Sequence, residues 1–113
     1  MVKKYIPKQK DLVYVNFDPT KGHEQKGLKP AIVISNDIFN KFTKMVMVCP
    51  ITTNTKEFPT HHLLKTTKKI KRSVLYEYIR SIDYEIRSLK YVEKCPNDEF
   101  DNIIELLKSC IDE

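Results

Sequence analysis

Glycine is nearly absent from this 113-residue chain: Gly22 and Gly27 are the only two. Whatever backbone freedom glycine supplies is therefore concentrated in one segment, Asn16 to Pro30. Cysteine is also scarce. Cys49, Cys95 and Cys110 are odd in number and spaced like neither a disulfide framework nor a zinc site, so reduced, mostly buried thiols without a redox or metal role are expected. No apolar run approaches the roughly 20 residues of a membrane helix. The start, Met1-Val2-Lys3-Lys4-Tyr5-Ile6-Pro7, lacks the apolar stretch and cleavage site of a signal peptide. The expectation is one soluble, cytoplasmic domain covering residues 1–113, with enough hydrophobic residues (41%) for a single core.

Acidic charge is sparse through most of the chain and dense at its end. Met1 to Pro96 holds 19 Lys or Arg against 9 Asp or Glu, whereas Asn97 to Glu113 holds 1 against 6. The body is thus +10 and the tail −5, which together give the net +5. A basic body attracts polyanions, because neutralised phosphates release condensed counterions. The densest basic run is Lys65-Thr66-Thr67-Lys68-Lys69-Ile70-Lys71-Arg72. It reads as a solvated loop first, and as a surface for RNA or an acidic protein second.

Periodicity supplies the fold class. Asp11 to Phe17 alternates, with Leu12 and Tyr14 on one side and Val13, Val15 and Phe17 on the other, as a strand does. Lys29 to Ser35 and Lys44 to Pro50 are short apolar runs with polar flanks and read as buried strands. Between them Asn36-Asp37 can cap a short helix carrying Ile38, Phe39 and Phe42. His61 to Lys65 and Ser73 to Arg80 complete a five-stranded set. At the end, Phe100, Ile103, Ile104, Leu107, Cys110 and Ile111 recur every three or four residues along one helix face, with Asp98, Glu99 and Asp101 in the first turn, where the helix dipole favours anions. Strands followed by one amphipathic helix predict a mainly β protein: a small, strongly curved antiparallel sheet or barrel with the helix packed on it.

The glycine-containing connector is longer and more polar than an ordinary hairpin loop, so it is expected to hold something. Gly22 and Gly27 have the spacing of a phosphate-binding P-loop, but Leu28 separates Gly27 from Lys29, no Ser or Thr follows, and a strand rather than a helix comes next. No nucleotide-triphosphate site is implied.

NFDPTKGHEQKGLKPAIVIS, from Asn16 to Ser35, resembles the most distinctive stretch of the MazF/PemK toxins. Cys49-Pro50-Ile51-Thr52-Thr53 is similar to a second block of that family, and Leu75-Tyr76-Glu77-Tyr78-Ile79-Arg80-Ser81-Ile82-Asp83 to a third. The resemblance implies an SH3-like antiparallel barrel of about five to seven strands with a C-terminal amphipathic helix. It also implies a homodimer, a cognate acidic antitoxin of the MazE kind, and metal-independent, sequence-specific cleavage of single-stranded messenger RNA without a cofactor. The family's main catalytic positions fall on Lys29 and Thr52, with Glu24 in support. Thr52 and Glu24 match the family, whereas Lys29 stands where it carries arginine. A guanidinium grips two phosphate oxygens as a planar fork, while an ammonium is a point charge.

Such cleavage needs a proton removed from the 2′-hydroxyl, charge neutralised at phosphorus, and a proton given to the leaving 5′-oxygen. The expected ends are a 2′,3′-cyclic phosphate and a 5′-hydroxyl. For the RNA groove, Phe17 and Tyr78 offer faces for unpaired bases, while His23, Gln25, Thr53, Glu77 and Arg80 offer hydrogen bonds. His61 and His62, as strand neighbours, point to opposite faces and do not chelate one ion. Two rival readings stay open. One is a catalytically weakened barrel that still binds RNA or antitoxin, because of Lys29; the other is a gyrase-directed poison of the same fold.

Overall fold

The computed structural model describes residues 5–17, 28–52 and 62–112. Its main sheet is antiparallel and five-stranded, in the order β6-β3-β2-β1-β7. The strands are β1 (Asp11–Asn16), β2 (Leu28–Val33), β3 (Met45–Pro50), β6 (Arg80–Asp83) and β7 (Lys90–Lys94). Two short strands, β4 (His62–Leu63) and β5 (Ser73–Val74), pair separately. They join the main sheet where Ile51 bridges Val74.

Alternation decides which face each side chain takes. Leu12 opposes Ile32, and with Ile34, Cys49 and Ile51 they form one core under the second helix. Val13 opposes Ala31, and with Val15, Val33, Val46, Val48, Ile82 and Tyr84 they form a second core on the other face. A sheet buried on both faces explains why β2 and β3 read as continuous apolar runs rather than as alternating ones.

Helix α1 (Asp37–Thr43) begins where expected. The Asn36 side chain accepts the Phe39 N–H at 2.8 Å, and Lys44 ends the helix in the left-handed region at φ 60°. Helix α2 (Asn97–Ser109) buries Phe100 and Ile103 against the first core, with Ile104, Leu106 and Leu107 packed beside them. Full burial of a side chain the size of Ile103 contributes about 2 kcal/mol. The apolar face stops short of its expected end: the helix closes at Ser109, and Cys110 and Ile111 are exposed.

Two expectations fail. Ser73 to Arg80 is not one strand but β5, a 3-10 turn at Tyr76–Tyr78, and the start of β6. The break lets the chain leave the small sheet and enter the large one. Strand β7 escapes sequence reading because three of its five residues, Lys90, Glu93 and Lys94, are charged. As an edge strand it carries those charges without burying them, and a bulge opposite Leu12 and Val13 twists it further.

Helix α2 also anchors the basic run. The Glu99 carboxylate accepts the N–H of Lys65 (3.0 Å) and of Thr66 (2.8 Å), the Thr66 hydroxyl (2.6 Å), and Nε2 of His62 (2.9 Å). Burial alone would raise its pKa, but these donors outweigh burial and pull it down to about 2. A carboxylate whose folded pKa is depressed stabilises the fold above the unfolded value and loses that contribution as pH falls toward the folded one. Stability should therefore decline between about pH 4.5 and 2. Glu99→Ala, which removes the acceptor of four part-buried hydrogen bonds, is expected to cost about 1–2 kcal/mol in urea melts at neutral pH. An unchanged midpoint would show that the carboxylate does not hold the loop.

Candidate active site

Strand register runs toward the two principal residues, Lys29 and Thr52. Strand β2 pairs with β3 through Val33↔Val48, Ile32↔Cys49 and Ala31↔Pro50. The pairing continues one step further, because the Ile51 N–H donates to the Pro30 carbonyl at 2.9 Å. One further step of the same register would set Lys29 across from Thr52, which lies two residues past the end of β3. Directly opposed antiparallel residues lie about 5 Å apart at Cα and point to the same face. Pro30 accepts one ladder bond but has no N–H to return, so the ladder thins just before this pair. Thr52 is fixed from its other side as well, where its N–H donates to the Ser73 carbonyl at 2.9 Å.

Phe17 and Arg80 stand on the same face. Val15 opposes Lys29, which puts Phe17, two residues on, diagonally beside it. Arg80 opposes Val48 on β3, and its guanidinium carbon sits 5.3 Å above the centre of the Phe17 ring. In a flat sheet β6 and β1 would be about 14 Å apart, so this contact records how strongly the sheet curls. The arrangement assembles an exposed lysine, a half-buried threonine and an arginine stacked on an aromatic ring. Two cations and a hydroxyl at one sheet end suit a phosphodiester.

Other expected residues stand differently. Tyr78 is 62% exposed on the 3-10 turn, open for a base to stack on, and Glu77 beside it is exposed. The Phe17 ring already carries the Arg80 guanidinium on one face. Glu24, His23, Gln25 and Thr53 lie outside the described residues. Lys29 pairs with Val15 inside β2 and is presented by a strand, not by the loop before it.

Arg87 was not foreseen. Its guanidinium donates to the Phe17 carbonyl, and its own carbonyl accepts the Asn16 N–H at 3.4 Å. It thereby fixes the end of β1 from which the glycine-containing connector departs. The sequence signal was present but unread: Asp83, whose carboxylate accepts the N–H of Glu85 (2.9 Å) and Ile86 (3.2 Å), starts a tight turn that only makes sense before a further strand.

Several side chains are removed from the chemistry. His62 has both ring nitrogens occupied, by Glu99 at 2.9 Å and by the Asn102 amide at 2.8 Å, so it serves the α2 anchor. Burial pushes the thiols of Cys49 and Cys95 up to about 12, helped at Cys95 by Glu99 and Glu93. Thiols of that kind are poor nucleophiles near neutral pH. Cys110 departs from the expected burial and is exposed. Among the described residues no group of three or more His, Cys, Asp or Glu is placed to hold a metal ion. No helix among them is long and apolar enough to cross a membrane.

Residues 8–111 match the family model described as PemK-like, MazF-like toxin of type II toxin-antitoxin system. The chain is 38% identical over 87 residues to the endoribonuclease toxin MazF of Escherichia coli strain K12, covering 77% of this chain and 78% of that protein. It is 31% identical over 103 residues to the endoribonuclease MazF of Staphylococcus saprophyticus, covering 85% and 86%. The crystal structure of MazF from Deinococcus radiodurans superposes with a TM-score of 0.83 at 31% identity, covering 97% of this chain and all of that one. A MazE-MazF crystal structure from the same organism gives 0.82 at 27% identity, covering 96% and 98%.

The register itself can be tested. Lys29→Cys combined with Thr52→Cys should form an intramolecular disulfide under mild oxidation, because opposed residues of this kind satisfy the Cα spacing of about 4.4–6.8 Å that a disulfide needs. Peptide mapping should find positions 29 and 52 linked, with the buried Cys49 and Cys95 still reduced. Recovery of both new thiols unlinked would place the two strands out of this register.

Proposed function

Because the chain belongs to the PemK-like, MazF-like toxin family of type II toxin-antitoxin systems, we propose that it is a metal-independent endoribonuclease cutting single-stranded messenger RNA beside Lys29 and Thr52. The observation that supports this most directly is the β2–β3 register, whose continuation beyond the Ile51–Pro30 bond would oppose an ammonium to a hydroxyl on one face of the sheet.

In this reading the 2′-oxygen attacks phosphorus and the bond to the 5′-oxygen breaks. The 2′-proton leaves to a base, for which Glu24 of the connector is the family-matched carboxylate. Lys29 and Arg80 offset the charge gathering on the non-bridging oxygens, and the Thr52 hydroxyl donates a hydrogen bond there. A proton delivered to the 5′-oxygen completes the step, leaving a 2′,3′-cyclic phosphate and a 5′-hydroxyl. Arg80 adds a guanidinium to the ammonium of Lys29. Stacked on Phe17, it presents a planar fork from the neighbouring strand edge. His23, Gln25, Thr53, Glu77 and Tyr78 are proposed to read or stack the flanking bases.

The partners proposed with this activity are a second copy of the chain, as an isologous homodimer, and an acidic, partly disordered antitoxin that competes with RNA for the basic face. A cytoplasmic location goes with them. Lys29 supports one alternative, a barrel that binds RNA or antitoxin while cutting weakly, since an exposed ammonium holds a phosphate with less geometric control.

Incubation of a long unstructured RNA with the protein in EDTA should give discrete fragments with cyclic-phosphate ends, and Thr52→Ala should slow their appearance at least about tenfold. Intact RNA after incubation with folded protein would refute the enzyme. Lys29→Arg separates the alternatives: a large gain in rate marks a weakened barrel, while little change or a loss marks a site already adapted to lysine.

A further inference from the structure

The basic run from Lys65 to Arg72 has no part in the site above, yet its backbone is held as firmly as any strand. The Glu93 carboxylate on β7 accepts three consecutive N–H groups, those of Lys68 (2.9 Å), Lys69 (2.8 Å) and Ile70 (2.8 Å). Burial works against that carboxylate, but the three bonds and the charge of Lys69 outweigh it and lower its pKa. The neighbouring turn is held by Glu99 in the same way. Both carboxylates are thus engaged with the main chain, and Lys65, Lys68, Lys69 and Lys71 remain exposed.

These lysines do not stand alone. Lys68 and Lys69 line a groove of about 420 Å³ together with Tyr91 and Lys94. Lys94 also lines a second groove of about 550 Å³, with Lys8 and Lys10. Five cations border the two grooves, against the carboxylates of Glu93 and Asp37. Two of the five are pre-positioned: Lys94 pairs with the buried Asp11, and Lys10 bonds Asn97 at 2.9 Å while lying 5.6 Å from the Phe100 ring centre. Tyr91 is 47% exposed and tilted against Tyr5, leaving ring surface open among the charges.

Lysines on an edge strand also deter strand pairing between molecules. That role needs only Lys90 and Lys94 on β7 itself, and does not account for Lys68, Lys69, Lys8 and Lys10 gathered from two other segments. Along β1 the strip and the cut are separate: Lys29 opposes Val15, five residues from Lys10, which at about 3.3 Å per residue is about 16 Å.

We propose that this strip is a second, sequence-independent RNA track that holds the substrate strand at the end of β1 remote from Lys29 and Thr52. It rests on the reading of the protein as an RNA-cutting enzyme. Ammonium point charges suit phosphates without reading bases, and an open tyrosine suits stacking on any base. The track would raise affinity for long RNA over short RNA and make binding steeply salt-dependent.

Lys68→Ala with Lys69→Ala removes two charges while retaining the N–H groups that Glu93 holds. Binding of a fluorescein-labelled 2′-O-methyl strand of about 24 nucleotides, which lacks the attacking hydroxyl, is followed by anisotropy across salt, with circular dichroism confirming the fold. The variant should lose on the order of tenfold in affinity at low salt, and its slope of log affinity against log salt should be shallower by about 1.4. Equal slopes overturn the proposal. So does an equal loss of cleavage on a long RNA and on one of about six nucleotides, which would put these lysines in the active site. An unchanged RNA slope with lost binding of polyglutamate would assign the strip to an acidic protein and also overturn it. If the variant shows the expected slope difference while the wild-type protein cuts no RNA, the track stands and the endoribonuclease reading fails.

Discussion

Antiparallel pairing of β2 with β3 is the constraint on which the candidate site depends. Val33, Ile32 and Ala31 oppose Val48, Cys49 and Pro50, and all but Pro50 are fully buried in one or other core or flanked by it. A slip of one residue would turn every one of these side chains to the opposite face, exchanging the members of two packed cores. The register is therefore enforced by burial some distance from the chemistry. Its extension past Pro30 would set Lys29 across from Thr52 without any direct bond being required between them. The apolar interior does the positioning, and the polar residues at the strand ends inherit it.

Curvature is the second determinant. A sheet buried on both faces has to bend around each core, and in this protein the bend is large enough for Arg80 of β6 to reach Phe17 beyond β1. The contact restrains the Arg80 side chain, so an anionic ligand bound there would cost less entropy than at an unrestrained arginine. Arg87 acts on the same place from the far edge by holding the Phe17 carbonyl. The outcome is an end of β1 held from two sides, by Arg80 on the Phe17 ring and Arg87 on its carbonyl.

Acidic residues play a structural part in a basic protein. Glu93 and Glu99 each accept several backbone donors from the basic run, and both have lowered pKa values for that reason. A loop with five Lys or Arg among eight residues repels itself, and two carboxylates beneath it offset that repulsion while fixing the main chain. The cationic side chains are left facing outward on an ordered support. Negative charge concentrated in the last helix therefore contributes to how positive charge is displayed elsewhere.

The sequence by itself determined several local elements and the family. Alternation in Asp11 to Phe17 located β1, Asn36 marked the start of α1, and Phe100 and Ile103 at helical spacing identified the buried face of α2. These signals are legible because they depend on neighbours within a few residues. The pattern around Gly22, Gly27, Lys29 and Thr52 indicated the family, since those residue types are ordered by chemistry along the chain. Strand β7 was not legible: an edge strand has too little buried surface to impose an apolar pattern on Lys90 to Lys94. Nor was the break within Ser73 to Arg80, which the junction of two sheets imposes. The stacking of Arg80 on Phe17 and the hold of Glu93 on Lys68 to Ile70 link residues far apart in sequence. Only the tertiary structure decided those, because contacts across a curled sheet are set by packing and register, and neither leaves a mark in local sequence.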